Sequence, residues 1–224
     1  VAMMVHVVLL SYSRGGQLGL MMVGTAIFMI AMIKLPRKVL TFTLGLAFVA
    51  FTIHYAGEMV RERFWTIFVD PELRDASAQS RLITWRAAWR CITDNPLGVG
   101  PRNFNLIASN YGLYGQKSIH NLFLQTGADY GVAGMIGLAG FYLGTMYNTY
   151  SMTTTEAARR LVWPRYFGHM VCISLSGFLV CSTFIGMESV ETSFLIAQLG
   201  LCVTSHVRRH EEVLPTDDTV PELV

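Results

Sequence analysis

Five stretches of this chain carry no charged side chain over lengths close to that of a membrane-crossing helix. They are Gln17–Ile33 (17 residues), Val39–Tyr55 (17), Tyr130–Met152 (23), Tyr166–Met187 (22) and Thr192–Val207 (16). A helix rising about 1.5 Å per residue crosses a hydrocarbon core of about 30 Å with about 20 residues, about 17 at the low end. Two of the stretches span with ease and two are marginal. The last reaches the interface only with its flanking polar residues. Composition agrees: 52% of the 224 residues are apolar and 14% are Asp, Glu, Lys or Arg, against about 25% charged in ordinary globular proteins. Mean hydropathy is +0.42. These values exclude a disordered chain, a disulfide-rich miniprotein and a nucleic-acid binder with a basic face. The expected fold class is all-α: a polytopic transmembrane helical bundle with a large extracytoplasmic loop containing short helices. The lipid bilayer is then its first partner.

Val1–Tyr12 is apolar but too short to span, with no basic leader region and no small-residue cleavage pattern. It reads as the end of a longer helix, so further transmembrane helices of the same protein are expected to precede it. Of the four cysteines, Cys172, Cys181 and Cys202 fall in apolar stretches and Cys91 stands alone in the large loop. No metal-ligand spacing or disulfide framework emerges, and no metal or cofactor is expected.

The basic residues fix an orientation. Lys34, Arg37 and Lys38 lie between the first two full stretches, Arg159, Arg160 and Arg165 between the third and fourth, and Arg208 and Arg209 after the fifth. Alternate connections thus share a basic excess and are assigned to the cytoplasm. Arg14, the long segment Ala56–Asp129 and the link Glu188–Glu191 then face the opposite side. The long segment holds eight Lys and Arg itself, but long translocated loops are largely exempt from the rule. The end from Glu211 onward reads as a solvated cytoplasmic tail.

More than seventy residues are too many for a plain connector. From Ser80 the spacing predicts a helix whose apolar stripe is Leu82, Trp85, Ala88, Trp89 and Ile92. Ser77 or Asp75 is the candidate cap, and Asp94-Asn95-Pro96 ends the helix. Arg86 and Arg90 are four apart and share another face. Geometrically this describes an amphipathic helix on a membrane surface, with tryptophans in the interface and arginines toward phosphates. Pro96–Phe104 follows, where Gly98 and Gly100 permit a tight turn. It lacks the context of a nucleotide loop, so turn chemistry is the favoured reading. Ser118–Gln125 then leads toward the next apolar stretch, with His120 where loop gives way to helix. A lone loop histidine is usually structural or merely exposed, yet its ordinary range suits proton transfer.

In order along the chain stand Ser13-Arg14-Gly15-Gly16, Ser80-Arg81-Leu82, Trp85, Asn95-Pro96-Leu97-Gly98-Val99-Gly100, His120-Asn121 and Gly131. This ordered set, from about Tyr12 to Tyr150, resembles the O-antigen ligase/polymerase family of bacterial membrane glycosyltransferases. The resemblance implies a lipid-embedded enzyme of the inner (cytoplasmic) membrane, with more transmembrane helices than this chain holds. Such an enzyme acts on the periplasmic face. It moves a glycan from an undecaprenyl-pyrophosphate carrier to a lipid, glycan or protein acceptor, without nucleotide sugar or metal. With the charge-free stretches and the orientation read above, it gives a division into residues 1–55 (a truncated helix plus two transmembrane helices), 56–129 (a periplasmic catalytic loop), 130–207 (three transmembrane helices) and 208–224 (a cytoplasmic tail). Arg14, Arg81 and His120 match the family motifs and are the catalytic candidates. Arg86, Arg90, Arg102 and Asn121 are substrate-binding candidates, together with Glu188 and Glu191, whose plainer reading is interface carboxylates in a short link.

The chemistry is consistent with these residue types. A leaving diphosphate needs its developing charge stabilised, and guanidinium groups are always charged and fork onto phosphate oxygens. An acceptor hydroxyl needs a base, for which His120 is the best placed candidate. Two other classes compete. A transporter fragment would show charges or prolines within its spans, and the five stretches have neither. A non-catalytic membrane component of an envelope polysaccharide pathway would use the loop for docking.

Overall fold

The computed structural model describes residues 5, 7–8, 13–55, 76–115, 118–184 and 190–213. Among them all regular structure is helical: α1 (Arg14–Lys34), α2 (Lys38–Tyr55), α3 (Ala76–Asp94), α4 (Phe104–Ile107), a 3₁₀ turn (Ala108–Tyr111), α5 (Leu122–Thr153), α6 (Glu156–Leu161), α7 (Trp163–Ser182) and α8 (Val190–Val213). The chain is therefore all-α over the described residues. The five charge-free stretches lie in α1, α2, α5, α7 and α8, the fourth as far as Ser182. One described helix meets both the length and the hydropathy for crossing a membrane: Gly15–Ile33, 19 residues at a mean hydropathy of 1.9, with 11% of the window buried. Lys38–Ala50 is a shorter apolar helix.

The chain forms two compact units, residues Val1–Ala139 with Ser176–Ser189, and Gly140–Leu175 with Val190–Val224. In the first, Ser13 caps α1, its hydroxyl accepting from the N–H of Gly16 at 3.2 Å. Lys38 closes the other end of α1, its ammonium donating to the carbonyls of Met32 and Ile33. Small residues let α1 and the end of α7 approach closely. A Cβ on Gly19 would overlap Cys181 Sγ, and one on Gly177 would overlap Val23.

The large loop has a core of its own. Ala87, Ala88, Cys91 and Ile92 of α3 bury against Phe104, Ala108, Leu113, Ile119 and Ala128. This corrects the expected stripe. Ala88 and Ile92 are in it, but Trp89 is 53% exposed, while Thr84, Ala87 and Cys91 are buried. The inward face of α3 carries small side chains beside Ile92, and Ile92 itself seats against α5 where Gly127 has no side chain: a Cβ there would stand 2.7 Å from Ile92 Cδ1. α3 ends at Asp94 as expected. It begins at Ala76, so Ser77 lies inside the helix, and Asp75 lies outside the described residues. Cys91 is fully buried, and burial pushes its thiol above its ordinary range.

α5 is interrupted at Gly131, whose φ of 74° and ψ of −175° are not helical. The turn after α3 fills the interruption. Val99 N–H donates to the Ala128 carbonyl at 2.8 Å, Gly100 N–H to the Asp129 carbonyl at 3.0 Å, and Val132 N–H to the Pro96 carbonyl at 3.0 Å. Carbonyls at the end of one helical segment and an amide at the start of the next thus find partners in the turn. The approach is backbone on backbone. A Cβ on Gly98 would lie 2.5 Å from the Asp129 carbonyl oxygen, and one on Gly131 would overlap the Pro96 carbonyl.

The second unit is held by short polar and aromatic contacts. The Tyr142 and Ser193 hydroxyls are 2.6 Å apart, and the Tyr142 and Phe194 rings stack at 5.9 Å. Arg208 Nη2 donates to Asn148 Oδ1 at 3.1 Å. Ala157 and Ala158 of α6 bury with Val203 and Val207 of α8.

Candidate functional site

His120 is exposed and left-handed, with φ 48°. Its neighbours are fixed. Ile119 is 1% exposed, and its carbonyl accepts the Trp85 indole N–H at 2.9 Å. Asn121 is buried and caps α5, its Oδ1 accepting from Leu124 N–H at 3.0 Å. His120 is therefore the one outward side chain between two anchored residues. A non-glycine residue at positive φ costs roughly 1 kcal/mol or more. The anchors on either side hold it there.

Trp85 connects further elements. Its ring lies 6.1 Å from that of Phe184, two residues past α7. Phe184 in turn abuts the start of α1, where a Cβ on Gly15 would come within 2.8 Å of Phe184 Cβ. The series Gly15, Phe184, Trp85, Ile119 thus runs through side-chain and backbone contacts within one unit. Its two ends, Gly15 and Ile119, are chain neighbours of Arg14 and His120, and Arg81 stands one helical turn before Trp85 on α3. The tertiary structure gathers these three segments although 106 positions separate residue 14 from residue 120. The Arg14 side chain lies outside what is described.

Beside this junction runs an open groove lined by Leu82, Trp85, Arg86, Trp89, Arg90 and Leu124. Its floor is apolar, and Arg86 and Arg90 are both exposed along it. Arg102 sits apart, on the turn that fills the break in α5. It too is exposed and left-handed, with φ 64°. Glu191 is exposed in the first turn of α8 and belongs to the other unit, while Glu188 lies outside the described residues. Among the described residues, no three His, Cys, Asp or Glu side chains gather as ligands for a metal.

The glycine turn has left-handed glycines at Gly98 (φ 84°) and Gly100 (φ 90°), as its sequence predicts. It does not form a phosphate cradle. The N–H groups of Gly98, Val99, Gly100, Arg102 and Asn103 all donate within the protein.

Asp129 is the residue that sequence reading missed. It is 5% exposed. Its Oδ1 accepts the Arg102 backbone N–H at 3.2 Å, and its Oδ2 accepts Gln125 Nε2 at 3.1 Å. Burial pushes its carboxyl above the usual range, against the pull of those two hydrogen bonds and of the Arg102 charge. The available signal was its place: an acid one residue before an uncharged stretch of 23, four residues after Gln125.

Comparison with curated proteins and with solved structures finds no match. A family model described as O-antigen ligase matches residues 1–139. That match covers more than half of the 224 residues and takes in α1 to α4, the turn and the broken start of α5. The chain belongs to the O-antigen ligase family of membrane-associated, glycosyltransferase-type enzymes.

Proposed function

We propose that the chain carries part of the active site of a ligase that takes a glycan from an undecaprenyl-pyrophosphate carrier and joins it to an acceptor hydroxyl at the periplasmic face. The observation that carries this reading is the junction of Gly15, Phe184, Trp85 and Ile119 in a member of this family. It draws together the segments bearing Arg14, Arg81 and His120. In the reaction the acceptor oxygen attacks the anomeric carbon and the bond from that carbon to the phosphate oxygen breaks. The electron pair leaves with the diphosphate, and the hydroxyl proton passes to the His120 ring. Direct displacement inverts the anomeric centre. Arg14 and Arg81 stabilise the charge growing on the leaving group, an effect of several kcal/mol in a water-poor site. The groove gives a lipid diphosphate what it needs, an apolar floor with Arg86 and Arg90 alongside.

The topology that goes with this function has five spanning helices, at residues 17–33, 39–55, 130–152, 166–187 and 192–207, in the inner membrane. The segment 56–129 is periplasmic and the segment 208–224 cytoplasmic. The break at Gly131 then stands at the membrane mouth, where irregular backbone is tolerated only if protein satisfies it. The hydrogen bonds from Val99, Gly100 and Val132 do so.

The test is glycan transfer by the full-length protein in proteoliposomes, with a purified undecaprenyl-pyrophosphate-linked glycan. His120→Ala is expected to lower the rate by about 10²–10⁴-fold, the usual contribution of a positioned base. Unchanged transfer sinks the assignment. A cytoplasmic signal from a reporter placed near Tyr111 reverses the topology.

A further inference from the structure

We infer that Asp129 is a positioning residue for Arg102, holding that arginine in an outward, left-handed conformation at the mouth of α5 so that its guanidinium meets the anionic part of a lipid-linked donor. The inference rests on the function proposed above and adds a residue to it.

The geometry is a double clamp. The main-chain carbonyl of Asp129 accepts Gly100 N–H at 3.0 Å, and its side-chain Oδ1 accepts Arg102 N–H at 3.2 Å. The two bonds grip the turn at alternate residues, and Arg102 adopts φ 64°. The second carboxylate oxygen is itself steadied by Gln125 one helical turn earlier. Arginine gains nothing from the left-handed region, which glycine or asparagine enters at lower cost. Holding an arginine there directs its side chain, which is exposed. Nor does the fold require the acid. An asparagine oxygen would accept the same N–H, whereas a buried carboxylate is costly and here is pushed toward its neutral form. What the carboxylate adds is a stronger, charge-assisted bond and a negative charge beside the guanidinium.

Two measurements on the full-length protein test this. The first is independent of activity. Trypsin cleaves after Arg102, and cleavage after exposed Arg37, in the link between α1 and α2, serves as internal standard. Asp129→Ala is expected to speed the Arg102 cut relative to the Arg37 cut by about tenfold, the equivalent of one lost hydrogen bond. An unchanged ratio overturns the inference. The second is transfer from the lipid-linked donor. Asp129→Asn is expected to raise the donor KM about tenfold, as loss of charge assistance would. Its kcat should stay near that of wild type. Combined with Arg102→Ala, it should cost no more than Arg102→Ala alone, because it acts through that residue. Additive losses, or a wild-type donor KM, overturn it. A wild-type protein that transfers no glycan counts against the proposed function instead, while the trypsin ratio still decides whether Asp129 holds Arg102.

Discussion

The indole N–H of Trp85 donates to the backbone carbonyl of Ile119, 34 residues later, at 2.9 Å. Through that bond α3 holds the segment carrying His120, and the ring of Trp85 also meets Phe184 near the start of α1. One side chain therefore ties together the three segments that bear Arg14, Arg81 and His120.

Trp85→Phe keeps an aromatic ring but deletes the donor. It leaves the Ile119 carbonyl, on a residue that is 1% exposed, without this partner. Thermal unfolding of the purified protein should report a loss of roughly 1–3 kcal/mol. Transfer should fall further than stability does, because the His120 segment loosens first. A variant with full transfer would show that the bond does not position His120.

Gly131→Ala places a Cβ against the Pro96 carbonyl at a φ of 74°. Strain and overlap together should cost more than about 2 kcal/mol. Gly98→Ala, whose Cβ would meet the Asp129 carbonyl oxygen at 2.5 Å from the other side of the same contact, should cost about as much. Gly137 has nothing within 4 Å of its Cβ position, so Gly137→Ala serves as the tolerated control. Melting curves that rank the three alike would contradict the backbone-on-backbone docking.

His120→Gly separates strain from chemistry. Glycine is at ease at φ 48°, so this variant should melt at least as high as wild type, by up to about 1 kcal/mol. Its transfer should be lost as fully as in His120→Ala. A large drop in melting temperature would mean that the ring has a structural role, despite its exposure.

Asp129→Asn should melt higher than wild type at neutral pH. The carboxyl is raised by burial, so between its ordinary range and its raised value the folded chain holds a proton that the unfolded chain has released. Stability contributed by this group therefore falls as pH rises through that window. The gain from the amide should be present at pH 7 and vanish below the ordinary carboxylate range, where both states are protonated. Melting curves at both ends of that interval measure it. A loss of stability at pH 7 would mean that the hydrogen bonds outweigh desolvation.

What the sequence determined was the solvent and the local structure. Charge-free runs near membrane length, glycines at Gly98 and Gly100, and a stop at Asp94-Asn95-Pro96 are local signals, because helix length, left-handed turns and helix ends depend on a few neighbouring residues. The ordered motifs also sufficed to place the chain in its family. The inward face of α3 was not legible, since periodicity marks the bulky apolar residues, whereas the face that is buried includes Thr84, Ala87, Ala88 and Cys91, with Ile92 seated against Gly127. The break in α5 was invisible for a similar reason. Gly131 looks like a tolerated helix glycine until the Pro96–Gly100 turn, some thirty positions earlier, supplies the hydrogen bonds that make a break affordable. Asp129 was hidden because an acid beside a long charge-free stretch reads as a boundary charge. Only folding buries it and sets it under the Arg102 amide. Pairings between distant backbone groups leave no periodic trace in a sequence, and they are what positions the residues proposed to carry the chemistry.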